Sequence, residues 1–417
     1  MFKKRLITVP AICSLFTVGK AQISTQQLSG TTINPITTSV PFLLIAPDSR
    51  QGAMGECGAA TEADVNSIHW NGSKLIFAEK STGFGISYTP WLRQLVPDIS
   101  LSYVSFYHKI SKVGAVGASL RYFSLGNITF TDILGNTTGQ FKPNEFAVDV
   151  CYSQKLSDQF SAGIAFRYIN SNLTGGVSIN GNQPTHAGQS VAVDLSMYYQ
   201  TKKNFEIADK KTKVSFGLAF TNIGQKISYT TVKNFIPMNL RIGGGYKIQI
   251  DDYNSFGLYA DLNKLLVPTP PQYLKTATGS DSISATTNSK IIVKGKDPNV
   301  PVTQGIIQSF SDAPGGFSEE MKEINVAGGF EYWYGAPKAL AVRAGYFYEN
   351  KTKGGRQFFT LGLGVRYSVF GLDMAYLIPT TLRNPLQNTL RFTLTFDFGA
   401  FKDQNKDANT AAPTTQP

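Results

Sequence analysis

The sequence predicts an all-β membrane protein: a transmembrane antiparallel β-barrel of about fourteen strands preceded by an N-terminal plug segment. Three observations carry the prediction. Between Thr82 and Phe398 a segment of roughly ten residues, in which every second side chain is large and apolar, recurs about fourteen times. No apolar run reaches the roughly 20 residues that a spanning helix needs, which excludes a helical membrane protein. The connections between segments alternate between short and long, as they do when short periplasmic turns face long outer loops. Only 16% of residues are charged, with 12% aromatic and 39 glycines, and the style does not change along the chain, so one large domain is the better reading.

Taken in order, Lys3, Lys4 and Arg5 precede the apolar stretch from Leu6 to Val18, and Gly19-Lys20-Ala21 offers a cleavage site. Residues 1–21 therefore read as a secretory signal peptide, which removes Cys13 and lowers the formal charge from +11 to +7. That basic balance fits anionic lipid headgroups and not nucleic acid, because no Arg/Lys cluster with interleaved aromatics occurs. Residues 22–80 read as an N-terminal periplasmic or plug segment, in which 31–80 lack sustained alternation, are rich in Gly, Ala, Ser and Asp, and are long enough for an inward plug, with short helices expected around Gly52 to Ala60 and Ser73 to Glu79. The barrel spans 81–399, and 400–417 is a polar Asp/Asn/Thr/Pro tail, expected to be disordered.

Strands are expected near 82–90, 98–110, 112–125, 143–155, 158–171, 188–202 and 212–224, then 236–250, 253–265, 321–335, 338–350, 355–368, 369–380 and 388–399. Links after even-numbered strands are short, such as Ile110-Ser111-Lys112 and Gly335-Ala336-Pro337. The long ones, around 126–142, 172–187 and 266–320, follow odd-numbered strands, so both ends of the chain are periplasmic. Within 266–320, residues 276–304 are rich in Thr, Ser, Lys and Pro and read as an excursion of the outer loop.

In the last segment Leu390, Phe392, Leu394, Phe396 and Phe398 share one face, against Arg391, Thr393, Thr395 and Asp397. The apolar face must meet lipid and the polar face a lumen. Tyrosines near strand ends, Tyr168, Tyr199, Tyr332, Tyr334, Tyr346, Tyr348 and Tyr367, suit headgroup level. The lumen face carries Arg121, Asp149, Arg167, Asp194, Arg241, Asp261, Glu331, Arg343, Arg366, Asp373 and Arg391, with signs that largely alternate. Such a ladder either lines an ion pathway or holds wall and plug together, and a porin constriction would more often segregate acids from bases. Fourteen strands fall between barrels filled by side chains and porins with an open channel, so something must fill this lumen.

Little points to chemistry. The remaining cysteines, Cys57 and Cys151, could pair in an oxidising compartment or stand as two small unpaired residues. His69, His108 and His186 are scattered over plug, strand and loop, and no GxSxG, HExxH or P-loop pattern occurs. No enzyme, metal or cofactor is expected.

One stretch identifies a family. It runs Val40-Pro41-Phe42-Leu43-Leu44-Ile45-Ala46-Pro47-Asp48-Ser49-Arg50, then Gly52-Ala53-Met54-Gly55-Glu56, Ser67-Ile68-His69-Trp70-Asn71, and Ser87-Tyr88-Thr89-Pro90-Trp91-Leu92-Arg93-Gln94-Leu95-Val96-Pro97-Asp98-Ile99. It resembles the PorV (LptO) family, outer-membrane barrels of the type IX secretion system in Bacteroidetes and relatives of the FadL fatty-acid transporters. The strand pattern as far as Phe398 fits a FadL-like barrel over nearly the whole mature chain. The chain departs from the family at Asn71-Gly72-Ser73, where relatives carry Asn-Pro-Ala, which puts the local plug turn in doubt.

The resemblance implies an exported outer-membrane protein that associates with the very large secretion pore (SprA/Sov-like), accepts folded cargo through a C-terminal sorting domain and delivers it to a PorU-containing attachment complex. The first candidate for partner contact is the loop between Pro90 and Pro97, with Trp91, Leu92, Arg93 and Leu95, because it is short, bounded by prolines and unusually apolar for an exposed link. Trp91 and Leu95 could equally be interfacial anchors or pack on the plug. The loop near 266–320, with Tyr273 and Phe310, is the second candidate. A FadL-type transporter of hydrophobic small molecules shares the fold and is the chief alternative; it would need an apolar pocket between plug and wall that opens through a gap in the barrel. A diffusion porin would conduct in planar bilayers.

Overall fold

A computed structural model describes residues 33–398 apart from 93–95, 97, 132–133, 177–184, 203–204, 277–278, 285, 287–288 and 382–385. The expectations for the signal peptide at 1–21 and the tail at 400–417, and for Arg93 and Leu95, lie outside the described residues.

Alternation along the chain becomes a closed wall of fourteen antiparallel strands. These are β1 (Thr82–Pro90), β2 (Ile99–Lys109), β3 (Gly114–Leu125), β4 (Asn144–Lys155), β5 (Phe160–Asn172), β6 (Gly188–Gln200) and β7 (Lys210–Gly224). They continue with β8 (Asn239–Gln249), β9 (Asn254–Leu265), β10 (Asn325–Tyr334), β11 (Leu340–Tyr348), β12 (Gln357–Tyr367), β13 (Phe370–Pro379) and β14 (Thr389–Asp397). Each pairs with the next, and β14 returns to β1 from Gly83↔Asp397 to Tyr88↔Phe392. Closure leaves no unpaired edge, the condition for strands to span hydrocarbon.

The faces follow the pleat. Along β14, Leu390, Phe392 and Leu394 are exposed while Arg391, Thr393 and Thr395 are buried, and β6 and β12 repeat this with Val191, Leu195 and Met197 and with Phe359, Leu361, Leu363 and Val365 outward. One irregularity interrupts the wall. The β6–β7 register shifts between Phe220 and Ile223, and Asn222 takes φ 60° in the bulge.

Two strand starts differ from expectation by more than two residues. β10 begins at Asn325 instead of 321, because residues 317–322 form a helix whose acids reach Lys264 and Lys353. β8 begins at Asn239 instead of 236, because Ile236 and Met238 turn into the apolar filling of the barrel mouth. The outer loops carry small ribbons of their own, Ile128–Thr131 with Thr137–Phe141 and Gln272–Tyr273 with Ile292–Lys294.

Four short helices complete the described elements used below. α1 (Ser49–Gly52) and α2 (Ser67–Trp70) lie before the wall, with 3-10 turns at Pro41–Leu44 and Gly72–Phe77. α3 (Val302–Gln308) and α4 (Phe317–Lys322) lie in the outer loop between β9 and β10. The helix expected around Gly52 to Ala60 is thus a single turn that stops at Gly52, and the chain leaves it through Gly55 at φ 67°.

Candidate functional site

The interior of the barrel is occupied by residues 34–80, and small residues and charges hold them there. Asp48 caps α1 by accepting from the Gln51 N–H at 2.9 Å, and its other oxygen accepts from the Trp70 indole at 2.7 Å. Asn71 likewise accepts from the Ser73 N–H. Gly72 lies against Cys151, where an added Cβ would meet Sγ at 2.6 Å. The backbone of the plug touches the wall itself: a Cβ on Gly345 would stand 2.2 Å from the Gly55 nitrogen and the Met54 carbonyl carbon.

The eleven lumen charges do not form one continuous ladder. Arg167 joins Asp149 and Asp194 across β4, β5 and β6, and reaches Asn222 in the bulge of β7. On the opposite wall Arg343 bridges Glu331 and Asp373 at 2.8 Å each, and Arg366 shares Asp373 at 2.6 Å. That second chain continues into the plug, because Arg50 binds both oxygens of Glu331 at 2.8 Å and Asp64 at 2.9 Å. The other four turn inward from the wall. Asp261 accepts from the Gly58 and Ala59 N–H groups at 2.7 and 2.9 Å, and Arg391 donates to Glu56 at 2.8 Å. Arg121 donates to the Leu43 carbonyl and contacts His69, both at 2.7 Å, while Arg241 bonds Asn263 and stacks on Trp70 with its guanidinium 4.6 Å from the ring centroid.

Electrostatics in the plug follow from this burial. Burial, with Asp64 close by, pushes the Asp48 carboxyl up to about 7 against the hydrogen bonds from Gln51 and Trp70. Burial and then Arg121, Arg241 and Arg167 hold His69 well below the usual histidine range, so it is neutral. Lys74, brought down to about 8 chiefly by burial, donates to the Gly58 carbonyl and Thr61. Reasoning from alternation missed Arg50, Glu56, Glu62 and Asp64, because none sits on a strand; their one signal was charge within a segment of otherwise small residues.

The two ends of the lumen differ. The outer mouth is filled by an apolar cluster in which Val40, Phe42 and Leu43 of the plug meet Leu101, Phe123 and Ile169 of the wall and Ile227, Ile236, Leu266 and Val300 of the loops. Trp91 packs on this cluster and, with Leu92 at φ 50°, on a second one around Met54 and Phe358, so both are half-buried. The periplasmic end holds a cavity of about 1270 Å³ bounded by plug residues 62–66, Phe77, Glu79 and Lys80 and by wall residues including Tyr107, Lys213, Trp333, Arg366 and Asp397. At its edge Glu62 receives Lys213, Lys247 and Lys338 at 3.3, 2.6 and 3.2 Å, and Lys338 also reaches Glu79 at 3.4 Å.

Two further spaces bear on ligands. Between plug and wall, beside His69 and Cys151, the space measures about 10 Å³, room for about one water. An apolar groove of about 690 Å³ lies on the wall at β4 to β7, lined by Val148, Val150, Phe166, Val191 and Ile223 and closed above by Val302 of α3. No plug residue lines it. Cys57 and Cys151 are free and buried, and among the described residues no group of His, Cys, Asp and Glu could hold a metal ion.

On the far side of the mouth the β9–β10 loop is a folded cap. Glu320 and Glu323 of the α4 region grip Lys264 at 3.0 and 2.6 Å, and Glu319 and Glu323 grip Lys353 at 2.6 and 3.0 Å. The cap leaves large apolar side chains in the open: Phe317 is 79% exposed, Ile307 74%, and Phe310 and Met321 about half. Tyr273, half-buried in the Gln272–Tyr273 ribbon, has the Lys290 ammonium 5.1 Å from its ring centroid.

A closed fourteen-stranded wall, an apolar outer surface and a lumen stoppered by its own N-terminal region define an outer-membrane β-barrel protein with a built-in plug. Residues 28–272, more than half of the chain, match the profile of the family described as "Type IX secretion system protein PorV". The chain belongs to this family, whose members are non-enzymatic outer-membrane barrels. No curated protein sequence matches it. Among solved structures it is similar to the toluene transporter TbuX of Ralstonia pickettii, at 12% identity and TM-score 0.43 over 84% of this chain and 97% of that one. It is also similar to a FadL homologue of Pseudomonas aeruginosa (12%, 0.44, 88% and 100%) and to the toluene transporter TodX of P. putida (12%, 0.45, 84% and 98%).

Proposed function

We propose that this chain is the cargo carrier of a type IX secretion system. It sits beside the large secretion pore (SprA/Sov-like), takes up cargo bearing a C-terminal sorting domain as it leaves sideways, and hands it to a PorU-like attachment complex. The observation that carries this reading is the family match over residues 28–272. Two features support it. The mouth is packed with apolar side chains, so the lumen is a poor route for a solute, and the cap presents exposed Ile307, Phe310, Phe317 and Met321 to the outside. In this reading residues 1–21 are the export signal, 22–80 the plug, 81–399 the barrel and 400–417 a periplasmic tail.

The contact surface combines the cap with the Pro90–Pro97 loop, where Trp91 and Leu92 brace the plug and Arg93 and Leu95 follow. The lumen charges act structurally, as anchors for the plug. A FadL-type role gains no support from these three spaces: the one beside His69 and Cys151 is about 10 Å³, the periplasmic cavity is lined by charges of both signs, and the apolar groove has no plug residue in its lining. The test replaces Ile307 and Phe317 with Ser in one variant, and Trp91 and Leu92 with Ser in another, and measures cargo in the medium. Loss of anchoring side chains predicts a fall of at least about tenfold in the first, with unchanged barrel abundance. Normal secretion at normal carrier levels in both variants would sink the proposal.

A further inference from the structure

We infer that the apolar groove on the wall at β4 to β7 is a lipid site: it retains one acyl chain of an outer-leaflet lipid whose anionic headgroup meets Lys226. This goes beyond the carrier role and does not depend on it. The groove is a recess and not a ripple of the pleat. Its sides are outward side chains such as Val150, Phe166 and Val191, but its lining also includes Arg167 and Ala192, which belong to the inward face. It cuts this deep where the β6–β7 register shifts between Phe220 and Ile223. Val302 of α3 roofs it, close to the outer ends of β5 at Asn172 and β6 at Gly188.

This stretch of wall faces hydrocarbon, so acyl chains surround the opening at high concentration. The space of about 690 Å³ falls within the roughly 300–1,000 Å³ that encloses one small ligand. A polypeptide would fit poorly. Strands β4 to β7 hydrogen-bond to one another on either side of the recess, and at the bulge the Asn222 N–H already donates to Asp194. A peptide entering there would leave its own N–H and C=O groups unpaired in an apolar setting, whereas a hydrocarbon chain carries no such groups. Nor does Arg167 call for an anion from outside, because its guanidinium joins Asp149 and Asp194.

The polar end of the site lies just past the lining. Gly224 and Gln225 border the groove, and Lys226 follows them in the outer link. Its ammonium sits 4.2 Å from the Phe235 ring centroid and forms no ion pair among the described residues; Asp297 acts on it only from a distance. A lysine so placed beside a hydrocarbon recess suits the phosphate of a lipid headgroup, and one such charge favours an anionic lipid by about fivefold.

The test places the full-length protein in phosphatidylcholine nanodiscs and adds lipid brominated in its acyl chains, either phosphatidylglycerol or phosphatidylcholine, to quench tryptophan. Phe166→Trp puts a reporter in the groove, Tyr168→Trp a second one, and Phe359→Trp a control on the lipid-facing side of β12. The parent supplies the signal of Trp70, Trp91 and Trp333, and heat-modifiable gel mobility confirms that each barrel is folded. At the groove reporters, quenching by brominated phosphatidylglycerol should saturate at a mole fraction about fivefold below that for phosphatidylcholine. At Phe359→Trp the two lipids should quench alike. Lys226→Gln should remove the preference at the groove and Lys226→Arg should keep it. The inference is overturned if the groove reporters behave like the β12 control, or if the preference survives Lys226→Gln.

Discussion

The outer and periplasmic ends of the barrel are built from the same strands, with the same inward polar face, yet one end is packed and the other is hollow. At the outer end Val40, Phe42 and Leu43 rise from the plug to meet Ile236, Leu266 and Val300 descending from the loops. At the periplasmic end most turns are only a few residues long, with residues 201–209 the longest link, and the plug residues that line the opening include Arg50, Glu62, Asp64, Glu79 and Lys80. Periodic segments make a wall; the aperiodic segments decide what the wall encloses.

That contrast can be broken most forcefully at the plug's main anchor. Glu331→Ala leaves Arg50 and Arg343 buried without their shared carboxylate, and breaking a buried pair costs ~3–5 kcal/mol. The thermal midpoint should fall sharply, and ion conductance in planar bilayers should appear as the plug loosens. A thermal midpoint like the parent's would show that packing alone retains the plug.

A smaller effect is expected where wall and plug backbones touch. Gly345→Ala forces a Cβ to within 2.2 Å of the Gly55 nitrogen, and overpacking of this kind costs ~1–3 kcal/mol. Hydrogen exchange at Met54 and Gly55 should quicken while the distant outer cluster stays protected.

The periplasmic end has a pH signature. Burial opposes ionisation of Glu62, but Lys338, Lys247 and Lys213 together outweigh it and hold its carboxyl well below the ordinary glutamate value. A carboxyl lowered on folding stabilises the protein fully above its unfolded pKa and loses that contribution as pH falls through the folded one. Between pH 6 and 3 the thermal midpoint of the parent should therefore drop more steeply than that of Glu62→Gln. Parallel curves would mean that the three lysines do not depend on this carboxylate.

The least sensitive position is the short turn between β4 and β5. Asp158, its side chain 89% exposed, meets Lys155 at 2.6 Å, and pairs with so exposed a partner contribute little, so Asp158→Asn should leave melting unchanged.

Much of the wall was legible because alternation is a local property: Leu390 to Asp397 states both faces of β14 without reference to any partner. Legibility failed where a distant contact outbid local pattern. Met321 and Lys322 belong to a helix, not to the start of β10, because neighbouring Glu320 and Glu323 reach back to Lys264 on β9. The candidate surface was only partly readable. Apolar character marked the Pro90–Pro97 loop and Phe310, but Trp91 and Leu92 fold back onto the interior, while Ile307 and Phe317 in a Gly- and Ser-containing loop are the exposed ones.

By itself, then, the sequence determined that this chain makes a fourteen-stranded membrane wall with a charged interior, since side chains two residues apart must share a face. Tertiary structure alone decided which charges meet. Asp261, Arg391 and Arg121 lie on strands by parity, but their partners Gly58, Glu56 and His69 come from a segment with no period, brought to them only when the barrel closes around it.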